Sequence, residues 1–365
     1  GRGNARNCDS TIKIGNNFDL YAHVLKTRVF DMHGFGSKRA TREFIEKVID
    51  LDPDVIHLHN IHGYYINVEI LFDFLKKFNK PVIWTLHDCW PFTGHCANIE
   101  YAGCNCWMVD GDHKCIQKTS YPKSLIFNNS VKNYKRKRKA FTGVKNLTIV
   151  TPSKWLAELV KQSFLCEYQV KVINNGINLD VFKPRKSDFR QKYKIYDKYV
   201  ILGVANIWGN RKGYNYFLEL SKRLSEDEII VMVGLNKKQI KNLPPNIIGI
   251  TRTENIHTLA EIYSTADVFI NPTLEDNFPT TNLEALACGT PVVTFNTGGS
   301  GESIDRNSGF VVEKGNLDML VEKIKVIKRI GKKSFFLKCL KHARNNFNKS
   351  DRYREYLNLY TEVVK

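Results

Sequence analysis

The densest chemistry in the sequence lies between Asn271 and Val292, which reads Asn271-Pro-Thr-Leu-Glu-Asp-Asn-Phe-Pro-Thr-Thr-Asn-Leu-Glu-Ala-Leu-Ala-Cys-Gly-Thr-Pro-Val292. Pro279 and Thr280 make a helix start, because the fixed φ of proline suits a first turn and its missing N–H is not needed there. Cys288-Gly289 makes the stop before the next strand. At Thr280 and Thr281 such a helix presents unpaired N–H groups and the positive end of its dipole, which suits a phosphate. Glu275, Asp276 and Glu284 flank that anion site and would repel the anion, so they need another task. Hydrogen bonding to sugar hydroxyls is the natural one. The plainer alternative makes Glu275 and Asp276 dipole partners and Glu284 a surface residue.

A second cluster, Asn206-Ile-Trp-Gly-Asn-Arg-Lys-Gly213, follows a strand-like run and opens a helix. Cations at a helix start oppose the dipole, so Arg211 and Lys212 are placed for something else. His57-Leu-His-Asn60 and Thr85-Leu-His-Asp88 both end strand-like runs. His57, His59, His62 and His87 are ligand-facing candidates, with a hydrogen-bonded core histidine as the alternative for any one of them. Five of the nine cysteines fall between Cys89 and Cys115. Cys96, Cys104, Cys106 and Cys115, with His95 and His113 nearby, offer tetrahedral ligands for a structural zinc ion. A disulfide or reduced thiols fit the same spacing.

Alternating elements must position these residues. Strand-like runs at 54–58, 81–86, 147–150 and 170–173 form one series. Runs at 199–203, 229–234, 247–250, 267–270 and 291–295 form another. Amphipathic stretches at 214–224, 258–264 and 316–330 lie between runs of the second series or follow it. Apolar strands separated by helices imply parallel sheets covered on both faces, and two series imply two doubly wound α/β domains. Asn174-Asn-Gly176 and Pro184 punctuate the join. The expected domains are 1–178 and 179–347, with a last helix at 348–365 returning to the first. Ligands of such folds bind outside the carboxyl ends of the strands, here in a cleft between the domains.

The 271–292 segment resembles the acidic signature of family-4 retaining glycosyltransferases of GT-B fold, two acids separated by seven residues and then Ala-x-Ala-x-Gly-x-Pro-Val. Asp276 and Glu284 keep that spacing, and Ala285, Ala287, Gly289, Pro291 and Val292 match. Glu275 immediately precedes the first acid, and Phe278-Pro279 stands where the family has Phe-Gly. The wording is similar to the capsule and colanic-acid branches. Asn206–Gly213 resembles the family's Arg-x4-Lys-Gly clamp, with Asn206 near the position of the Arg, and Thr297-Gly-Gly-Ser-Gly-Glu302 resembles its Gly-Gly-x-x-Glu loop. Asn175-Gly176 matches the family's interdomain Asn-Gly. The resemblance implies a nucleotide-sugar donor on the second domain and a saccharide acceptor, carried on a lipid, on the first. In its terms Arg211 and Lys212 meet the diphosphate, Glu284 the ribose, and Glu275, Asp276 and His87 the sugar. Asn206, Phe278, Pro279, Thr280 and Thr281 complete the donor site. No cofactor is required for that chemistry.

The formal net charge of +18 invites a nucleic-acid reading, but no helix-turn-helix or RNP motif supports it. The excess peaks at Lys132-Asn-Tyr-Lys-Arg-Lys-Arg-Lys139, and Phe127, Val131, Tyr134 and Phe141 fall on one helical stripe around it. Residues 127–141 therefore fit either an anionic membrane surface or a core-facing helix with a solvated basic back. The expected location is the cytoplasm, peripheral on the membrane's inner face under the first of these readings. Hydrophobic residues make up 42% and charged residues 25%, which excludes wholesale disorder, and apolar runs are too short to span a bilayer. The Gly1-Arg-Gly-Asn4 start reads as a chain entered after the first strand and glycine-rich loop of the first domain. A nucleotide-sugar epimerase or phosphorylase on the same fold, or a basic nucleic-acid-binding protein, are the alternative readings.

Overall fold

The computed structural model describes residues 11–105, 107–108 and 113–365, so Gly1–Asn4 and Cys106 lie outside the described residues. Two compact units divide the chain. One holds everything up to Ile173 together with Tyr356–Lys365, and the other holds Asn174–Glu355.

The first unit is built on a parallel sheet of β1 (Ile56–Leu58), β2 (Val82–Thr85), β3 (Leu147–Thr151) and β4 (Gln169–Val172), in that spatial order. β2 and β3 are buried along their whole length, as expected of central parallel strands covered on both faces. The helix Val68–Phe78 shows how the sequence makes the covering layer. Asn67 caps it by accepting from the Ile70 N–H, and Val68, Leu71, Phe72 and Leu75 form one buried stripe at spacings of three and four. Phe72 meets Trp84 of β2 and Phe141 of the helix Ser130–Phe141, with ring centroids 5.2 and 4.5 Å away. On the other side, Leu359 of the last helix (Lys349–Val364) is buried with Ile83, Val150 and Ile173.

The second unit has six parallel strands: β5 (Tyr199–Val204), β6 (Glu228–Val233), β7 (Ile247–Ile250), β8 (Val268–Asn271), β9 (Val292–Phe295) and β10 (Gly309–Val312). Their spatial order is β7-β6-β5-β8-β9-β10, so the chain winds one way from β5 and then the other way from β8. That reversal is the topological switch point of a doubly wound sheet, and it opens a crevice at the carboxyl ends of β5 and β8. β10 is an element that the sequence pattern did not single out. Its first residue has to be small, since a Cβ on Gly309 would stand 1.9 Å from the Val292 carbonyl oxygen.

One sequence expectation changes in the first unit. The helix Ser130–Phe141 starts after Phe127, which is exposed and stacks on Phe30 instead of joining the stripe. Its buried face carries Asn133, Tyr134, Lys137, Ala140 and Phe141, so one of the six basic residues points inward. Arg136 is tied to Glu69 by two hydrogen bonds of 2.7 and 2.6 Å. Lys132, Lys135, Arg138 and Lys139 remain exposed. Among the described residues no helix is long and apolar enough to cross a membrane.

Candidate active site

Three loops converge at the switch point of the second unit. After β5 the chain turns at Trp208, whose indole N–H donates to the Val233 carbonyl (2.8 Å), and then makes a short 3₁₀ turn, Asn210–Lys212. Gly213 ends that turn with φ +81°, and a Cβ there would meet the Pro272 carbonyl oxygen at 2.3 Å, so glycine is required on both counts. The loop after β8 docks against the same turn. The Leu274 N–H donates to the Arg211 carbonyl (2.7 Å), and the Arg211 guanidinium donates to the Glu275 carbonyl (2.8 Å). The Lys212 ammonium pairs with the Asp276 carboxylate, and both groups keep partial access to solvent. From the loop after β9, the Gly299 N–H donates to the Asp276 carbonyl (3.0 Å). Gly298, at φ +52°, comes so close that a Cβ would lie 2.0 Å from that oxygen.

The helix Thr280–Ala287 starts just beyond, with Pro279 at its N-cap and no side-chain cap. Its start and its stop at Cys288-Gly289 fall where the sequence places them. Phe278 and Pro279 are buried, and the Phe278 carbonyl accepts from the Asn175 amide (3.1 Å). Thr280 is exposed and Thr281 half-buried, whereas Glu275 is buried and Asn206 exposed. Glu284 is held from behind by the Tyr263 hydroxyl, which donates to Oε2 at 2.9 Å. Burial pushes its carboxyl up to about 7, while the Tyr263 hydrogen bond works in the opposite direction. Glu302 lies in a 3₁₀ turn, Gly301–Ser303, that leads into β10. The same loop holds a residue that the sequence did not single out: the Ser300 hydroxyl is fully buried and has no partner among the described residues. A concavity of about 770 Å³ opens beside this loop, lined by Gly298, Gly301, Glu302 and Lys314 among others.

The histidines belong to the first unit, at the carboxyl ends of β1 and β2. His87 and His59 share a 3.1 Å contact between ring nitrogens, and burial holds both below the usual imidazole range. His57 contacts the Tyr360 hydroxyl (2.6 Å) and the Thr85 hydroxyl (2.8 Å), and burial with His59 and His87 nearby brings it down to about 4. His57 is thus the hydrogen-bonded core histidine. A pair that the sequence did not reveal is His62–Asp88, at 3.1 Å, with Asp88 also accepting from the Trp90 N–H (2.9 Å). Burial alone would raise the Asp88 carboxyl, but His62 and the Trp90 N–H outweigh it and the net direction is down. No local signal marks this pair, because its members are distant in sequence and only the fold joins them. Of the four cysteines named above, Cys96, Cys104 and Cys115 are brought together in the core of this unit.

A parallel sheet reversing at a crevice, with a cation–carboxylate pair and an open helix start at that reversal, is a doubly wound domain with an anion-suited ligand crevice. Comparison with known proteins states the class. Residues 15–181 match the sequence model described as Glycosyltransferase Family 4, and residues 198–328 match that described as Glycosyl transferases group 1. The chain therefore carries two glycosyltransferase-type domains, one matched by each description. It is 24% identical to the colanic acid biosynthesis glycosyl transferase WcaC of Escherichia coli K12 over 87% of this chain and 78% of that protein. It is 25% identical to the UDP-Gal:alpha-D-GlcNAc-diphosphoundecaprenol alpha-1,3-galactosyltransferase of Escherichia coli, over 56% of this chain and 57% of that one. Among solved structures it is similar to sucrose-phosphate synthase of Thermosynechococcus elongatus, with TM-score 0.68 and 17% identity over 89% of this chain and 78% of that chain. That likeness shows the GT-B fold. The epimerase, phosphorylase and nucleic-acid readings find no support.

Proposed function

We propose that this glycosyltransferase moves a hexose, with retention, from a nucleotide-sugar donor to a lipid-linked saccharide acceptor in bacterial surface polysaccharide synthesis. The observation that supports this most is the convergence of Lys212, Arg211 and Asp276 at the switch point, beside the uncapped start of the Thr280–Ala287 helix. A diphosphate suits that place: the helix N-terminus and the Lys212 and Arg211 cations stabilise the charge that builds on it as the anomeric C–O bond breaks. The diphosphate leaves with the bonding electron pair. The acceptor hydroxyl oxygen bonds to the anomeric carbon on the same face, and its proton passes to a phosphate oxygen. Retention then needs no carboxylate nucleophile. Asp276 and Glu275 orient the sugar, Glu284 accepts from the ribose hydroxyls, and His87 contributes from the acceptor domain. The names of the two Escherichia coli relatives, one with a UDP-sugar donor and a diphosphoundecaprenol-linked acceptor, favour this substrate class.

A lipid-linked acceptor places the enzyme at a membrane surface. Exposed Ile126 and Phe127 stand beside Lys118, Lys132, Lys135 and Lys139 in one shallow depression of the first unit. Apolar side chains ringed by lysines fit an anionic bilayer interface.

The test is a screen of nucleotide sugars for thermal protection, followed by transfer assays on Lys212→Ala and Asp276→Asn. A matching nucleoside diphosphate should raise the unfolding temperature of the wild type. Lys212→Ala should lower kcat by about 100-fold or more. Wild-type turnover by both variants would refute the site. For the surface, reversing Lys132, Lys135 and Lys139 to glutamate should abolish co-sedimentation with anionic vesicles, and unchanged binding would refute the membrane contact.

A further inference from the structure

The chain between Thr93 and Asn129 contains no helix or strand among the described residues, although it lies between β2 and the helix Ser130–Phe141. Segments of that length without regular structure need something to hold them. Among its described residues Cys96, Ala97, Ile99, Cys104, Trp107 and Cys115 are all buried in the core of the first unit. Within it the Sγ atoms of Cys96, Cys104 and Cys115 lie within 4.8 Å of one another. Three thiols from three separate turns meeting at one buried point is the arrangement of a metal clip, for which tetrahedral Zn–S bonds of about 2.3 Å set S···S distances of about 3.8 Å.

The surroundings supply a second, independent observation. Lys137 is fully buried, with its ammonium donating to the Trp90 carbonyl (2.8 Å) and the Thr93 carbonyl (3.0 Å) and lying 3.5 Å above the Trp90 ring. A buried cation needs nearby negative charge. Burial pulls this ammonium well below the usual lysine range, against the opposing pull of Asp31, Cys96, Asp88 and Cys115. Asp31 is itself engaged by His95 at 2.5 Å, and Asp88 by His62. A zinc ion with three thiolates would carry one net negative charge, which a protonated Lys137 would offset.

We propose that Cys96, Cys104 and Cys115 are ligands of a structural zinc ion that staples the 93–129 segment onto the acceptor-side domain, with Lys137 as its buried counter-charge. Three thiolates leave one tetrahedral position for a fourth donor or a water. The staple bears on the residues at the end of β2, because the Cys89 N–H donates to the Ala97 carbonyl (3.1 Å) and the Tyr121 hydroxyl contacts His62 (3.1 Å). It is a positioning device and does not depend on the sugar-transfer reading.

The experiment measures metal in the full chain purified under reducing conditions with zinc supplied. About one zinc per chain is expected, released when the thiols are titrated with p-hydroxymercuribenzoate. Cys96→Ser, Cys104→Ser and Cys115→Ser should each lose most of the metal and unfold at lower temperature, while the exposed Cys166→Ser should change neither. If those variants fail to fold, reconstitution of the wild type with cobalt(II) decides the matter, since thiolate ligation gives a ligand-to-metal charge-transfer band in the near ultraviolet. Absence of both stoichiometric zinc and that band overturns the proposal. So does a disulfide between any two of these cysteines, found by alkylation and mass spectrometry of unreduced protein.

Discussion

Glu284 keeps a proton in the folded protein at a pH where the unfolded chain has lost it. Its carboxyl rises from the ordinary 4.5 to about 7 through burial, against the pull of the Tyr263 hydroxyl. Its contribution to stability is therefore fully present below about 4.5, falls as pH rises, and is lost above about 7. Glu284→Gln removes the ionisation but keeps an acceptor for Tyr263. This variant should match the wild type in unfolding free energy at pH 4.5 and exceed it at pH 8 by up to about 3 kcal/mol. Urea titrations at both pH values check this, and an equal gap at both would refute it. The same substitution should weaken donor binding if Glu284 meets ribose hydroxyls, so stability and function would move in opposite directions, as at sites that hold strain for a ligand.

At the scale of elements, the site depends on loops that touch through backbone. Gly298 sits against the Asp276 carbonyl in the left-handed region, so a methyl group there meets both a clash and an unfavourable φ. Gly298→Ala should lower stability by about 1–3 kcal/mol and reduce transfer more than a surface Gly→Ala change does. Gly143, at φ +78° with open space around it, is the matched control for the backbone term alone. Equal losses from the two substitutions would show that the contact with Asp276 is not what matters. The loops and strands of the second unit were largely legible in the sequence, because punctuation by Pro279, Gly213 and Cys288-Gly289 is a local property. β10 was not, since its short Gly309–Val312 run becomes a strand only by pairing with β9.

At the scale of the whole molecule, the last helix links the two units along the chain: Lys349–Val364 begins in the second and its residues from Tyr356 onward count with the first. Leu359 closes a small core over Ile83, Val150 and Ile173, and Tyr356 and Tyr360 reach Thr85 and His57. Leu359→Ala should destabilise the first unit by about 2–4 kcal/mol. Tryptophan fluorescence reports it well, because Trp84, Trp90, Trp107 and Trp155 all lie in that unit and only Trp208 in the other. An unchanged urea midpoint would refute the role of this contact.

The sequence alone determined the succession of strands and helices, the two-domain α/β class and the acidic and basic segments of the candidate site. Hydrophobic period, proline and glycine act over a few residues, and motif spacing carries the rest. What only the tertiary structure decided are the pairings between distant residues. Lys212 meets Asp276 across 64 positions and Tyr263 meets Glu284 across two separate helices. His62 finds Asp88, and Lys137 turns from a basic surface run into the core, onto the Trp90 and Thr93 carbonyls. Each of these depends on which strand lies next to which, and on burial that strengthens a charge's need for a partner. Neither is a property of any stretch of chain read by itself.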